Sequence, residues 1–131
     1  MNAAYTLRVT TEFAAAHVLR EYDGPCARIH GHNWRVEVRV RAHELDAGGM
    51  AIDFRELSAV TEAVTERLDH RLLNDVAPFT EVNPTAENVA AFIYREVGAK
   101  LAARAAGPKI ELLSVTIHEN DRISVEYTAQ P

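Results

Sequence analysis

Tyr5, Leu7, Val9, Thr11 and Phe13 alternate with Thr6, Arg8, Thr10 and Glu12, a period of two that predicts a first strand with one buried face. Extended in phase, the buried side takes in Ala15 and His17. The pattern returns at His30: Trp34, Val36, Val38 and Val40 share a face with His30 and His32, while Asn33, Arg35, Glu37, Arg39 and Arg41 take the other. Gly48-Gly49 breaks the alternation. Asp53-Phe54-Arg55-Glu56 then has capping-box spacing and predicts a helix striped by Leu57, Val60, Val64 and Leu68, ending near Asp69-His70. Beyond a loop through Pro78 and Asn83-Pro84, Thr85 is placed to cap a second helix, striped by Val89, Phe92, Ile93, Val97 and Leu101 and stopped by Gly107-Pro108. Two further strands, Ile110 to Glu119 and Ile123 to Thr128, meet across the polar turn Asn120-Asp121-Arg122.

The order ββααββ predicts an α+β fold, a four-stranded antiparallel sheet with two helices on one face, forming one domain over residues 1–131. The helices cover only one face of such a sheet. The other carries Arg8, Glu12, Arg35, Glu37, Arg39 and Arg41, and is either a solvated outer surface or the wall of a polar lumen made when several subunits' sheets close into a ring.

Charge and composition narrow the function class. The chain has 19 acidic against 14 basic side chains, a net charge of -5, and lacks the clustered basic surface of a nucleic-acid or anionic-membrane binder. No apolar run approaches the roughly twenty residues of a membrane span, and the N-terminus has no charged-then-apolar signal. One cysteine, Cys26, cannot form an internal disulfide. A soluble cytoplasmic protein that binds neither nucleic acid nor membrane is the expectation.

Within that frame, the segment Cys26-Ala27-Arg28-Ile29-His30-Gly31-His32 carries the most chemistry. His30 and His32 lie two apart on one strand face and are able to grip one metal ion together, and His17 is in phase with the core side of its own strand. Histidines facing a core need partners for their ring nitrogens, and a shared zinc with one open position satisfies all three. Such an ion polarises a substrate oxygen and acidifies a neighbouring C–H. Cys26 is either the fourth ligand of a closed structural site or a base just outside the metal's first shell. Asp69-His70 is either a polar helix end or a carboxylate orienting a proton-exchanging imidazole. Glu119, in phase with Leu113, Val115 and Ile117, is either salt-bridged or placed to receive the paired N–H donors of a guanidine-like ring edge such as a pterin presents. Arg28 and Arg122 flank the motifs, but a loop arginine is ordinarily solvated and neither is assigned a role; His118 has none either.

Six spaced motifs, Phe13-x-Ala15-Ala16-His17, Cys26-x-x-x-His30-Gly31-His32, Ile52-Asp53-Phe54, Leu68-Asp69-His70-x-x-Leu73-Asn74, Asn83-Pro84-Thr85-x-Glu87-Asn88 and a late Glu119, resemble the 6-pyruvoyl-tetrahydropterin synthase and 6-carboxytetrahydropterin synthase family along nearly the whole chain. The resemblance implies a tunnelling fold, in which ββααββ subunits close into trimeric barrels that stack as a homohexamer with active sites at subunit interfaces. It implies a catalytic zinc on His17, His30 and His32, with Cys26 as base and Asp69 and His70 completing the proton-transfer set. It also implies Glu119 as anchor of the pterin ring, with Thr85 touching it. The implied substrate is 7,8-dihydroneopterin triphosphate. The short chain, the Cys-x-x-x-His-Gly-His spacing and the Leu-Asp-His-x-x-Leu-Asn run resemble the carboxy branch, which releases acetaldehyde and supplies 7-deazaguanine and queuosine synthesis. The alternatives are the pyruvoyl branch, which only eliminates triphosphate, and a non-catalytic pterin- or zinc-binding protein.

Overall fold

Two long strands, β1 (Tyr5–His17) and β2 (His30–Ala42), pair antiparallel along their whole length, from Tyr5 opposite Ala42 to His17 opposite His30. The computed structural model describes residues 3–129, so the four terminal residues of the expected 1–131 domain lie outside the described residues. The alternation read from the sequence is the alternation of burial: Phe13, Ala15, His17, Trp34, Val36, Val38 and Val40 are all buried. Helix α1 (Phe54–Thr65) lies over β1, and α2 (Ala86–Ala102) packs beside it over β4 (Glu111–His118) and β5 (Ser124–Tyr127). Leu57, Val64, Leu68, Val89, Phe92, Ile93 and Val97 close the core against the sheet. No described helix is long and apolar enough to cross a membrane.

Four expectations are corrected. The sheet has five strands, not four, because Arg71–Leu72 forms a short β3 that pairs parallel to β1, giving the mixed order β3-β1-β2-β4-β5. Helix α1 ends at Thr65 rather than near Asp69-His70, and the chain then turns through His70 at φ 58 to reach the β1 edge. A left-handed backbone cannot continue a helix, which is why Asp69-His70 sits in a turn. The capping box is half made: Asp53 accepts from the Arg55 N–H at 2.8 Å, whereas the Glu56 carboxylate is taken by Arg104 at 3.0 Å. In β4 a register shift sets Val40 opposite Leu112 and Arg39 opposite Ser114, so Leu113 is skipped and Leu112 takes its expected place against the core. Beyond that bulge Val115 and Ile117 are buried as expected.

The second sheet face has no helix over it. Its arginines pair with carboxylates instead: Arg35 with Asp121 of the β4–β5 turn at 3.5 Å, Arg39 with Glu126 at 3.2 Å, and Arg41 with Glu111 at 3.1 Å. The sheet is open, with β3 and β5 as its edges.

Candidate active site

The site lies where β1 ends and β2 begins. His17 and His30 are register partners, and His32 is two residues along the same face, so the antiparallel ladder alone brings three imidazoles together. One nitrogen from each of His17, His30 and His32 lies within 4.8 Å of the others, and only these three converge in this way among the described residues. Two rings have their tautomer set by a backbone carbonyl: His17 Nδ1 donates to Pro84 O and His30 Nδ1 to Arg28 O, both at 2.7 Å. That leaves Nε2 of each as a lone-pair donor, the arrangement metal-binding histidines adopt. His17 Nε2 and His32 Nε2 are buried without a hydrogen-bond partner, a costly state for a polar atom unless a ligand completes it. Neutral nitrogens converging in this way fit a zinc-type ion, which histidines commonly ligate.

Burial pushes the His17 and His32 pKa below the ordinary 6.5. The Pro84 hydrogen bond works against this at His17, and the Glu119 carboxylate works against it at both rings. The neutral, ligating form is thereby favoured. The floor of the cluster is Trp34, fully buried, edge-on to both His17 and His32 and donating from Nε1 to Ala15 O at 3.1 Å.

The remaining expected residues are placed unequally around this centre. Glu119 lies one residue past β4 with Oε2 3.3 Å from His32 Nε2, outside hydrogen-bonding geometry but in direct charge contact. Asp69 is held at both oxygens: Oδ1 accepts from Ala14 N at 2.9 Å and Oδ2 lies 2.9 Å from His70 Nδ1. The Ala14 N–H, with His70 second, pulls the Asp69 pKa below the usual carboxylate value. His70 is solvent-exposed and borders an open cleft of about 480 Å³ whose lining includes Ala14, Ala16, Gly31 and Asn33, which share the uncovered face of the sheet. A Cβ on Gly31 would meet Ala15 O at 3.6 Å and Ala16 Cα at 3.9 Å, ordinary contacts, so glycine here is not demanded by crowding; it borders the cleft. Cys26 sits half-buried in a 3₁₀ turn, Pro25–Ala27, and does not join the converging nitrogens, so the closed Cys-His₃ arrangement is not formed within the chain. Thr85 caps α2, its hydroxyl accepting from Asn88 N at 3.1 Å, and reaches the site only through its neighbour Pro84.

Asn74 and Asn83, both within the sequence motifs, have structural roles that the motifs do not reveal. Asn74 bonds both backbone groups of Val18, at 2.8 and 2.9 Å, and Asn83 bonds both of Arg20 at 2.9 Å. These side-chain amides continue the ladder where β1 has run out and lock the segment that follows His17. Asn88 in turn holds Asn83 O at 2.9 Å. Side-chain amides among apolar neighbours at a loop are suited to satisfy stranded backbone groups.

The chain is similar to known proteins along most of its length. The sequence profile described as 6-pyruvoyl tetrahydropterin synthase matches residues 6–130. The chain is 37% identical to the 6-carboxy-5,6,7,8-tetrahydropterin synthase of Bacillus subtilis, over 75% of this chain and 68% of that one. It is 33% identical to the 6-pyruvoyl tetrahydrobiopterin synthase of Poecilia reticulata, over 96% and 90%. The 6-pyruvoyl tetrahydropterin synthase structure from Caenorhabditis elegans superposes with a TM-score of 0.84 at 27% identity, covering 98% of each chain. The chain has the tunnelling fold that the resemblance implied, and it belongs to the 6-pyruvoyl tetrahydropterin synthase family.

Proposed function

We propose that this protein is a zinc-dependent 6-carboxy-5,6,7,8-tetrahydropterin synthase, a lyase that converts 7,8-dihydroneopterin triphosphate to 6-carboxytetrahydropterin with release of acetaldehyde and triphosphate, in 7-deazaguanine and queuosine synthesis. The observation that carries this reading is the cluster of three imidazoles with open nitrogens, two of them buried and unpartnered, in a chain of this family. Relatives named for the carboxy activity, from Bacillus subtilis and Synechocystis at 37% and 38% identity, favour that branch.

In this reading His17, His30 and His32 hold the metal, their neutral state supported by burial at His17 and His32. Zinc bound there supplies Lewis-acid polarisation of the substrate's side-chain hydroxyls. Cys26, as thiolate, takes the proton from the adjacent carbon. His70 exchanges protons with the substrate, its ring held by Asp69, whose own position is fixed by the Ala14 N–H. Glu119 would accept two N–H groups of the pterin ring and so orient the bound substrate. Pterin contact by Thr85 and completion of the site across a homohexamer interface belong to the same proposal.

Product analysis tests it. Incubating the zinc-loaded protein with 7,8-dihydroneopterin triphosphate is expected to yield acetaldehyde, triphosphate and a 6-carboxypterin. A pyruvoyl pterin without acetaldehyde would assign the protein to the other branch, for which the Poecilia reticulata relative is named; no turnover would leave a binding protein.

A further inference from the structure

A histidine side chain turns about two bonds, and the second, between a tetrahedral and a planar carbon, has only broad preferences. The aim of a ligating nitrogen is therefore set by what its ring touches. Two of the three rings are set by a hydrogen bond, His17 Nδ1 to Pro84 O and His30 Nδ1 to Arg28 O. The His32 ring makes no hydrogen bond among the described residues, and its Nε2 is one of the two buried orphans. Glu119 Oε2 stands 3.3 Å from that nitrogen, but in the chemistry proposed above this carboxylate is engaged by the pterin ring. What remains to hold His32 is packing.

Trp34 supplies it. Two residues along β2 on the same face, its ring centre lies 5.1 Å from that of His32 and 4.9 Å from that of His17, with the planes 86° and 80° apart. Phe13, its register partner, lies parallel to it at 5.8 Å, and the indole is fully buried, so it has no open space to swing into. Its one polar atom is committed as well: Nε1–H donates to Ala15 O at 3.1 Å. Ala15 is the register partner of His32 and lies two residues before His17. The bond thus fastens the indole to the strand end that carries His17, while the indole itself belongs to the strand that carries His32 and His30.

We propose that Trp34 is a positioning residue of the metal centre: its indole holds the His17 and His32 rings where their nitrogens converge, and its N–H fastens the end of β1 to β2 beneath them. The inference rests on the metal-binding reading given above. An indole N–H is a donor with no lone pair to offer, so Trp34 acts through the histidines and not as a ligand.

The test is zinc affinity, read by competition with a chromophoric chelator, together with the visible spectrum of the cobalt(II)-loaded protein. Trp34→Phe keeps an aromatic wall and loses the N–H, whereas Trp34→Leu loses both. Zinc affinity is expected to fall about tenfold in Trp34→Phe and about a hundredfold in Trp34→Leu, with the cobalt bands altered in the same order. Val38→Ala, a core substitution further along the same buried face, lowers the denaturation midpoint but keeps wild-type zinc affinity and cobalt bands, which separates positioning from mere stability. Trp34 is the only tryptophan of the chain, so cobalt(II) titrated into the wild-type protein is also expected to quench its emission saturably, a readout that needs no variant to fold. Wild-type zinc affinity and an unchanged cobalt spectrum in Trp34→Phe overturn the inference. So does cobalt bound with the emission unmoved, or a loss of zinc affinity in Val38→Ala that matches the loss in Trp34→Phe. The two readings fail separately: a wild-type protein that binds neither zinc nor cobalt refutes the metal site itself, and one that binds both no more tightly than Trp34→Phe refutes this inference alone.

Discussion

At the scale of single residues, the site is a contest between burial and the charges the chemistry needs. His17 and His32 are held below pH 6.5 by desolvation, so the folded metal-free protein resists protonation that the unfolded chain accepts. The unfolded state binds more protons as pH falls through 6.5, and stability falls with it. The denaturation midpoint of zinc-stripped protein is expected to drop between about pH 7.5 and about pH 5.5; a flat profile would show the rings are not depressed. Asp69 acts in a lower window, its contribution being lost below 3.8 as its carboxylate takes up a proton. Cys26 stands outside the nitrogen cluster, so Cys26→Ala is expected to keep stoichiometric zinc by metal analysis while turnover falls by about a hundredfold or more. Zinc lost with the thiol would make Cys26 a ligand instead.

At the scale of elements, motif residues turn out to do structural work that the chemistry relies on. Thr85 caps α2 and lies next to Pro84, whose carbonyl sets the His17 tautomer. Replacing it with alanine is expected to cost about 1 kcal/mol in chemical denaturation, with serine restoring it. If Thr85 also touches the pterin, Thr85→Ala raises KM beyond what the stability loss accounts for; KM unchanged leaves the residue a cap only. The turn at His70 has a similar double aspect. Its positive φ and the bond from His70 N to Ala14 O bring the Asp69-His70 pair to the β1 edge, beside the open cleft.

At the scale of the molecule, the uncovered sheet face and the open edges at β3 and β5 are features a lone subunit leaves exposed. Exposed Phe54 and Ile29, 59% and 65% accessible, add apolar surface outside the core. Closure of sheets into a ring buries edges and turns the charged face into a lumen. The expected outcome is a mass six times that of the chain by light scattering, with zinc-dependent turnover confined to that fraction; an active monomer would place the whole site within one subunit.

Much of this was legible in one dimension. Strict alternation from Tyr5 to His17 and from His30 to Val40 determined two strands, their buried face and the common side of three histidines, because a strand has a fixed period of two. The Asp53 and Thr85 caps were readable because capping depends on residues two or three apart. What tertiary structure decided were relations between distant segments. The bulge at Leu113 follows from the register of β4 against β2, and β3 exists only because β1 offers an edge to two residues that show no strand pattern of their own. The partners of Asn74 and Asn83 lie more than fifty residues away. Local sequence sets which groups a residue carries and which way it faces; packing alone decides which backbone is left unpaired for those groups to satisfy.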